Sequence, residues 1–212
     1  MEENITTARN GRTASKEVRR QQLIDATIES ISTQGFSGTT IATVSKGANL
    51  SQGIVNFHFT NKETLFIETL GYLATEHYER WSTAVEKAGP DAAKQLIALV
   101  DVDFDATIAT PKKIAVWFAF WGQAKQRPSY LKVHNNFDRQ RTKKINQLCN
   151  QIAKDGAYKD IDPDSRARNL VALIDGIWLN YLLYPKSNTR KQARNDCFSY
   201  LAGTFPNHFS QP

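Results

Sequence analysis

The residues best suited to recognising a small molecule are aromatic side chains near the middle of the chain. Four of them fall within five consecutive positions: Trp117, Phe118, Phe120 and Trp121. Asp105 lies upstream of this cluster, and Asp175 lies beside Trp178 further along. Aromatic faces attract cations, and a domain that only dimerised would not need this density of tryptophan. The cluster therefore predicts a ligand pocket, although an aromatic stripe at helical spacing can equally form an ordinary core.

Residues that carry catalysis or bind metals are few and poorly spaced. The chain has four histidines, namely His58, His77, His134 and His208. None has a partner at the spacing of a metal site or a catalytic triad. Asp101, Asp103 and Asp105 alternate, which on a helix directs them to different faces. No glycine-rich phosphate loop or nucleophile elbow occurs. We therefore expect no enzyme, metal site or cofactor.

A second group of residues has the pattern of a DNA-reading helix. Ser51 is suited to cap a helix that runs to Phe59, and Val55 and Phe59, four positions apart, would both face inward. The outward face would then hold short or planar side chains: Gln52, Gly53, Asn56 and Phe57. A major groove can accept such a face.

The flanking segments complete a helix-turn-helix. Thr39 is predicted to cap the preceding helix, and Asn49 tolerates the left-handed conformation of a sharp turn. Thr60 and Glu63 have the spacing of a capping box for the following helix. Lys62 opposes the dipole in the first turn of that helix unless an anion is present, so it is a predicted phosphate contact.

These residues resemble the TetR family of transcriptional regulators. The matching positions are Thr40, Ala48, Ser51, Gly53, His58, Phe59, Lys62 and Leu65. The resemblance implies a dimer on a palindromic operator. Asn49, Ser45 and Asn56 depart from the motif, and Asn56 stands where the family often has a phosphate-contacting tyrosine, so we expect it to read a base. The predicted DNA contacts are Thr40, Ser51, Gln52, Gly53, Asn56, Phe57, His58 and Lys62.

Composition agrees with a polyanionic partner. The 212 residues carry a net charge of +6, and 41% are hydrophobic, enough to build a core. No apolar run approaches the roughly 20 residues that span a bilayer, and the polar N-terminus lacks a secretory segment, so we expect a cytoplasmic protein. Cys149 and Cys197 have no paired spacing, which is typical of a reducing compartment.

Helical spacing without strand-like alternation predicts an all-α fold. We expect a flexible basic arm at residues 1–15, a helix-turn-helix domain at 16–60 with its first helix from Lys16 to Gln34, and a helical ligand-binding and dimerisation domain at 61–212. The helix from Asn61 to Ala88 would bridge the two domains. Further along, a helix that opens at Pro128 would turn its basic residues outward: Lys132, Arg139, Arg141, Lys143 and Lys144.

The last two helices, within residues 163–205, are predicted to form the dimer interface. The helix through Trp178 is apolar on nearly every side and needs cover from a second copy. The following residues should not all be buried within one protomer: Leu170, Leu173, Ile177, Leu182 and Phe198. Asp175 in this helix has two interpretations, a hydrogen bond that fixes helix register or a ligand contact.

Three segments resemble one branch of the family, the choline-responsive repressors of betaine-synthesis operons. They are Asp103-Phe-Asp105, Trp117-Phe-Ala-Phe-Trp121 and Leu173-Ile-Asp-Gly-Ile-Trp-Leu179. The resemblance implies a small quaternary ammonium effector. The predicted ligand contacts are Asp105, Trp117, Phe118, Trp121, Asp175, Trp178 and Tyr181, with Asp105 the first candidate for the countercharge and Asp175 the second. The alternatives are a regulator of an efflux or catabolic operon that senses a larger hydrophobic or cationic compound, and a DNA-binding dimer without a ligand.

Overall fold

A computed structural model describes the backbone of residues 3–211 and the side chains of residues 15–211. That range contains nine α-helices and no strand, which confirms the all-α prediction. The helices are α1 (Glu3–Gly38), α2 (Ile41–Gly47), α3 (Gln52–His58), α4 (Lys62–Lys87), α5 (Ala92–Asp103), α6 (Pro111–Gln123), α7 (Pro128–Asp155), α8 (Pro163–Leu183) and α9 (Arg190–Thr204).

The first helix begins earlier than predicted, at Glu3 instead of Lys16. It is interrupted at Gly35, whose φ of 73° and ψ of 176° are accessible to a residue without a Cβ atom. The interruption falls where the sequence predicts the helix to end. The predicted basic arm, residues 1–15, lies largely outside the part of the chain whose side chains are described.

The helix-turn-helix is capped one residue later than predicted at two of its helices. Thr40, not Thr39, caps α2, because the Thr39 hydroxyl is buried and donates to the Gly35 carbonyl oxygen at 2.9 Å. Asn61, not Thr60, caps α4, with its Oδ1 accepting from the Thr64 N–H at 2.9 Å. The predicted Thr60 capping box is therefore wrong, and the Glu63 carboxylate is free for other partners.

The turn between α2 and α3 follows the sequence closely. Asn49 has φ 54°, the left-handed conformation expected of it. Ser51 caps α3 by accepting from the Ile54 N–H at 3.3 Å. Val55 and Phe59 are buried, so the opposite face of α3 points to solvent.

The long helix α4 connects the two halves of the molecule. Its first turns bury Leu65, Phe66 and Leu70 in the core shared with α1 and α6, and its far end buries Trp81 and Val85 against α5 and α7. α4 therefore extends from the helix-turn-helix into the interior of the C-terminal part. Among residues 3–211, no helix is both long enough and apolar enough to cross a bilayer.

Of the five apolar residues predicted not to be buried together within one protomer, Leu173, Ile177 and Leu182 are only partly buried, and the dimer interface itself stays a prediction. Leu170 and Phe198 lie in the core, because α8 packs on both α7 and α9. The large apolar side chains left exposed on and just after α8 are Leu179, Leu183 and Tyr184, with the last two 56% and 59% exposed. These three residues, with the partly buried Leu173, Ile177 and Leu182, are apolar side chains that a partner could cover on this side.

Candidate functional site

The outward face of α3 is the surface predicted to read DNA bases. Gln52, Gly53 and Asn56 are exposed there, and Phe57 is 72% exposed. The Lys16 ammonium lies 5.8 Å from the centre of the Phe57 ring, so a cation from α1 borders this face. A single short helix thus presents two amide side chains, a backbone position without a side chain and one apolar ring.

The other predicted DNA contacts surround this face but differ in character. Thr40 and Ser51 are exposed, and each hydroxyl already caps a helix by accepting a backbone N–H. His58 is half-buried, and burial followed by the charge of Lys16 lowers its pKa below 6.5, so the ring is neutral near pH 7. Lys62 stands at the first position of α4, with its ammonium 5.0 Å from the centre of the Phe66 ring. Lys62 is therefore the best placed of these for a charged contact with phosphate.

A cavity lies inside the C-terminal part, between α4, α5, α6, α7 and α8. All four tryptophans of the chain border it, namely Trp81, Trp117, Trp121 and Trp178, together with Phe137. Its volume is about 40 Å³. By the same measure, one buried water molecule needs roughly 10–15 Å³. The space therefore suits a compact molecule.

The cavity brings together four of the seven predicted ligand contacts: Trp117, Trp121, Asp175 and Trp178. Asp105, the first candidate for the countercharge, is not among them. Its carboxylate instead accepts hydrogen bonds from the N–H, at 2.7 Å, and the hydroxyl of Thr107, and these bonds lower its pKa. Asp105 thus closes a turn at the surface.

Phe118 and Tyr181 also lie outside the cavity lining. Phe118 packs edge-on against Trp121, with ring centres 4.8 Å apart, and so supports the cavity wall from behind. The Tyr181 ring lies 5.9 Å from the guanidinium of Arg190 in α9. Each residue stands three positions from a cavity-lining tryptophan of the same helix, Trp121 or Trp178, yet neither side chain lines the cavity.

A buried ionic network forms one wall of the cavity and was not predicted. Asp103, only 1% exposed, accepts from Arg141 Nη2 at 2.6 Å, and its other carboxylate oxygen lies 2.8 Å from His77 Nε2. Trp178 Nε1 donates to the Asp103 carbonyl oxygen at 2.9 Å. The prediction that Arg141 faces solvent is wrong, since the residue is 6% exposed. Helices α4, α5, α7 and α8 are thus joined at one residue.

Asp103 and Arg141 in this network each favour the ionised form of the other. Burial opposes the ionisation of Asp103, but the Arg141 guanidinium and the His77 ring outweigh it and hold the pKa of the carboxyl below its usual value. Burial likewise opposes the charge of Arg141, and Asp103 outweighs it and raises the pKa of the guanidinium. Asp103 and Arg141 therefore largely neutralise one another.

Two further carboxylates leave the cavity with a net negative character. Asp138 and Asp175 line it, and the structure shows no hydrogen bond to either from the side chains of residues 15–211. Burial raises the pKa of Asp175 to about 6, although Arg141 partly offsets this effect. Burial lowers the pKa of His134, so that this ring is neutral near pH 7. No cluster of metal-binding side chains occurs within the described part of the chain.

The missed residues do carry a signal in the sequence. Arg141 precedes Ile145, Leu148 and Ile152 at intervals of four, three and four, which places it on the buried stripe of α7. Asp103 follows Leu96 and Val100 on α5 in the same way. A charged residue that falls on an apolar stripe is therefore better taken as a buried pair than as a surface charge.

Comparisons with known proteins agree with both halves of this arrangement. Residues 23–69 match the family described as bacterial regulatory proteins, tetR family, and residues 92–206 match the family described as BetI-type transcriptional repressor, C-terminal. The HTH-type transcriptional regulator BetI of Burkholderia lata is 35% identical over 166 residues, covering 77% of this chain and 82% of that protein. Its counterpart from Burkholderia mallei is 36% identical over 170 residues, with the same coverage.

Solved structures share the fold. A transcriptional regulator from Pseudomonas aeruginosa PAO1 superposes with a TM-score of 0.79 at 27% identity, covering 91% of this chain and 93% of its own. A regulator from Saccharomonospora viridis, solved in complex with choline, superposes with a TM-score of 0.76 at 20% identity, covering 86% and 94%. The chain described here therefore belongs to the TetR family of transcriptional regulators and carries a C-terminal domain of the BetI type.

Proposed function

We propose that the protein represses transcription by binding an inverted-repeat operator as a homodimer, and that a small quaternary ammonium compound such as choline releases it. One observation carries the proposal: every tryptophan of the chain borders a single compact cavity that also holds two carboxylates without a described hydrogen-bond donor. The choline complex of the Saccharomonospora viridis regulator, which has the same fold, supports it.

The chemistry of the cavity suits a cation that cannot donate hydrogen bonds. A quaternary ammonium group is recognised by the negative faces of aromatic rings, each contributing about 0.5–2 kcal/mol when desolvated. Trp81, which the sequence did not single out, joins the three predicted tryptophans in this role. Asp175 replaces Asp105 as the countercharge, with Asp138 nearby on α7.

The size of the cavity separates the proposed effector from the alternative of a large hydrophobic compound. A volume of about 40 Å³ accommodates only a few water-sized groups, so a bulky ligand would require the core helices to move apart. A trimethylammonium compound with a short polar chain needs much less rearrangement.

Calorimetric titration with choline tests the effector. The unmodified protein should release or absorb heat on binding, and Trp121→Ala should lose that heat while retaining its helical circular dichroism. Tyr181→Ala is the matched control, because Tyr181 is an aromatic residue of α8 outside the cavity, and it should bind as the unmodified protein does. No heat with choline, betaine aldehyde or betaine would reject this class of effector.

Binding to DNA would place α3 of each protomer in successive major grooves. Half-site centres should then lie about 34–36 Å apart, or a multiple of that distance. Selection from random duplexes should recover an inverted repeat. A failure to enrich any inverted repeat would contradict the dimeric operator complex.

The homodimer would bury the exposed apolar residues of the α8 end, Leu179, Leu183 and Tyr184. Light scattering at micromolar concentration should give twice the mass of one chain. Leu183→Glu should shift that mass towards the monomer, because a buried unpaired carboxylate opposes association. A folded monomer that still bound the operator with full affinity would contradict the homodimer.

Release from DNA requires that the effector bind one conformation better than the other. The helix α4 is suited to link the two sites, since Lys62 begins it and His77 and Trp81 line the cavity from it. A tilt of α4 at the cavity would change the position of α3 on the DNA.

A further inference from the structure

The first turn of α4 is held by side chains from the junction of α6 and α7. One oxygen of the Glu63 carboxylate accepts from Arg127 Nη1 at 2.6 Å and from Tyr130 Oη at 2.8 Å, and the other accepts from Ser129 Oγ at 3.0 Å. Hydrogen bonds to an ionised group are roughly twice as strong as neutral ones. Glu63 therefore fastens the start of α4 to a segment more than 60 residues away in the chain.

This contact crosses between the two family-matched parts of the chain. Glu63 lies within residues 23–69, whereas all three of its donors lie within residues 92–206. Glu63 also directly follows Lys62, the predicted phosphate contact, and α4 follows α3 after a short turn. The donors on the C-terminal side thus hold the helix turn that carries Lys62, a residue predicted to contact DNA.

The helix that leads to these donors also forms the cavity wall. On one face of α6, Trp117 and Trp121 line the cavity. On another face, the Phe120 ring packs edge-on against Phe36 and Phe66, with ring centres 5.5 Å and 6.2 Å apart. Since interiors are close-packed, a shift of α6 caused by a molecule in the cavity is transmitted to its neighbours instead of being absorbed.

The α6–α7 junction connects the end of α6 to the start of α7 through a short hydrogen-bonded segment. The Arg127 N–H donates to the Gln123 carbonyl oxygen at 3.0 Å, and α7 begins at the next residue, Pro128. Tyr130 is fully buried and packs edge-on against Phe120, with ring centres 5.1 Å apart. A displacement of α6 therefore moves the three donors together with it.

We propose that Glu63 is the positioning residue that couples the effector cavity to the recognition helix. The carboxylate acts as a rigid polar link: it holds the first turn of α4 to the α6–α7 junction, so that a shift of α6 changes the orientation of Lys62 and α3. For the effector half of this coupling the inference rests on the proposed function.

The first experiment measures operator affinity with and without saturating choline in the unmodified protein, Glu63→Gln and Glu68→Gln. Coupling between two sites typically changes affinity about 5- to 150-fold. Glu63→Gln should reduce that factor at least about fivefold, while its choline affinity in the absence of DNA stays within about twofold. A purely structural Glu63 would instead lower operator affinity equally with and without choline, and that result overturns the proposal.

Glu68→Gln is the matched control. It removes the same charge five residues further along α4, but Glu68 accepts from Arg20 of α1 and not from the α6–α7 junction. Its coupling factor should therefore equal that of the unmodified protein. Equal loss of coupling in the two variants would mean that the charge of α4, and not the Glu63 link, matters.

A variant on the other side of the link keeps the test independent of Glu63 itself. Tyr130→Phe deletes one donor and retains the ring that packs in the core. It should reduce the coupling factor, and combining it with Glu63→Gln should reduce the factor no further than Glu63→Gln alone. Additive losses would contradict a shared link.

The third measurement needs no effector and separates this inference from the choice of choline. Amide hydrogen exchange is followed in residues 123–131 before and after addition of the selected operator duplex. Operator binding should slow exchange there in the unmodified protein and in Glu68→Gln, but not in Glu63→Gln. If operator binding does not slow amide exchange in residues 123–131 of the unmodified protein, the Glu63 link is overturned. If exchange slows as expected but choline does not change DNA binding, only the proposed effector is overturned.

Discussion

The proposed DNA-reading face of α3 and the proposed effector cavity use polar side chains in opposite ways. On α3, Gln52 and Asn56 are exposed, and no part of the core depends on them. In the cavity, Asp103 and Arg141 are almost completely buried and hold four helices together. The first region separates recognition from folding, whereas the second combines them. Substitutions should therefore affect DNA binding and stability independently at α3, but affect effector binding and stability together in the cavity.

The strongest test of this difference is Arg141→Met. Removal of one partner from a buried ion pair leaves an uncompensated charge and costs about 3–5 kcal/mol. For a chain of this size each kcal/mol lowers the melting temperature by about 2–4 °C. Thermal and urea unfolding at one protein concentration should show this loss.

The control for that substitution is Arg139→Met, two residues away on the exposed side of α7. It should change the free energy of unfolding by no more than about 0.5 kcal/mol. The double variant Asp103→Asn with Arg141→Met should lose less than the sum of its single changes, because the two residues share one interaction. Equal stability of the two methionine variants would show that the buried pair contributes nothing.

The next effect concerns the pH dependence of effector binding. Burial raises the pKa of Asp175 to about 6, and a bound cation favours the ionised carboxylate. Below pH 6 the free protein must lose a proton before the cation binds well, so choline affinity should fall as pH falls. Between pH 8 and pH 5 the dissociation constant, measured by calorimetry, should increase about tenfold.

Other titrating groups face the same space, and variants separate their effects. His77 of α4, Asp103 of α5, and His134, Asp138 and Arg141 of α7 all border the cavity. Asp175→Asn should weaken choline binding at pH 8 and remove most of the pH dependence. Asp105→Asn removes the same charge outside the cavity, and this variant should keep the pH dependence of choline binding. A pH dependence that survives Asp175→Asn would assign the effect to a histidine instead.

The same contrast explains how far the sequence predicts each region. The face of α3 follows from the caps and the inward spacing of Val55 and Phe59, all within a few residues of one another. The errors at Thr39 and Thr60 are shifts of one residue, since adjacent Thr-Thr and Thr-Asn pairs are both competent caps. Local chemistry is sufficient there.

The cavity depends on contacts between distant parts of the chain, and prediction is weaker there. The aromatic content of α6 and α8 identifies Trp117, Trp121 and Trp178, but not the alignment of α4 that adds Trp81. Asp103 and Arg141 are 38 residues apart, and only the packing of α5 on α7 makes them a pair. Asp105 and Asp175 both lie close in sequence to aromatic residues, but only Asp175 lines the cavity, because proximity in sequence does not establish proximity in the fold.

On the DNA side, Asn56→Ala should change base preference without changing stability. A side-chain amide that reads a base edge discriminates by about 1–3 kcal/mol. Repeated selection from random duplexes should therefore show relaxed preference at one position of each half-site, with an unchanged salt dependence. Thr60→Ala, an exposed change at the end of α3, should leave the selected sequence as it is. If Asn56→Ala selects the same sequences as the unmodified protein, Asn56 does not read a base.

The smallest expected effect is that of Lys62→Ala, in which two local contributions to stability oppose one another. A cation in the first turn of α4 opposes the helix dipole, a cost of about 0.3–1 kcal/mol, and its removal relieves that cost. The same change removes the contact between the ammonium and the Phe66 ring, 5.0 Å away, which is worth about 0.5–1 kcal/mol. The free energy of unfolding should thus change by less than about 0.5 kcal/mol.

DNA binding by Lys62→Ala should weaken alike for all sequences, and the dependence of log affinity on log salt should decrease by about one unit, because one phosphate contact is lost. Titrations at several salt concentrations measure that slope, and an unchanged slope would remove Lys62 from the phosphate backbone.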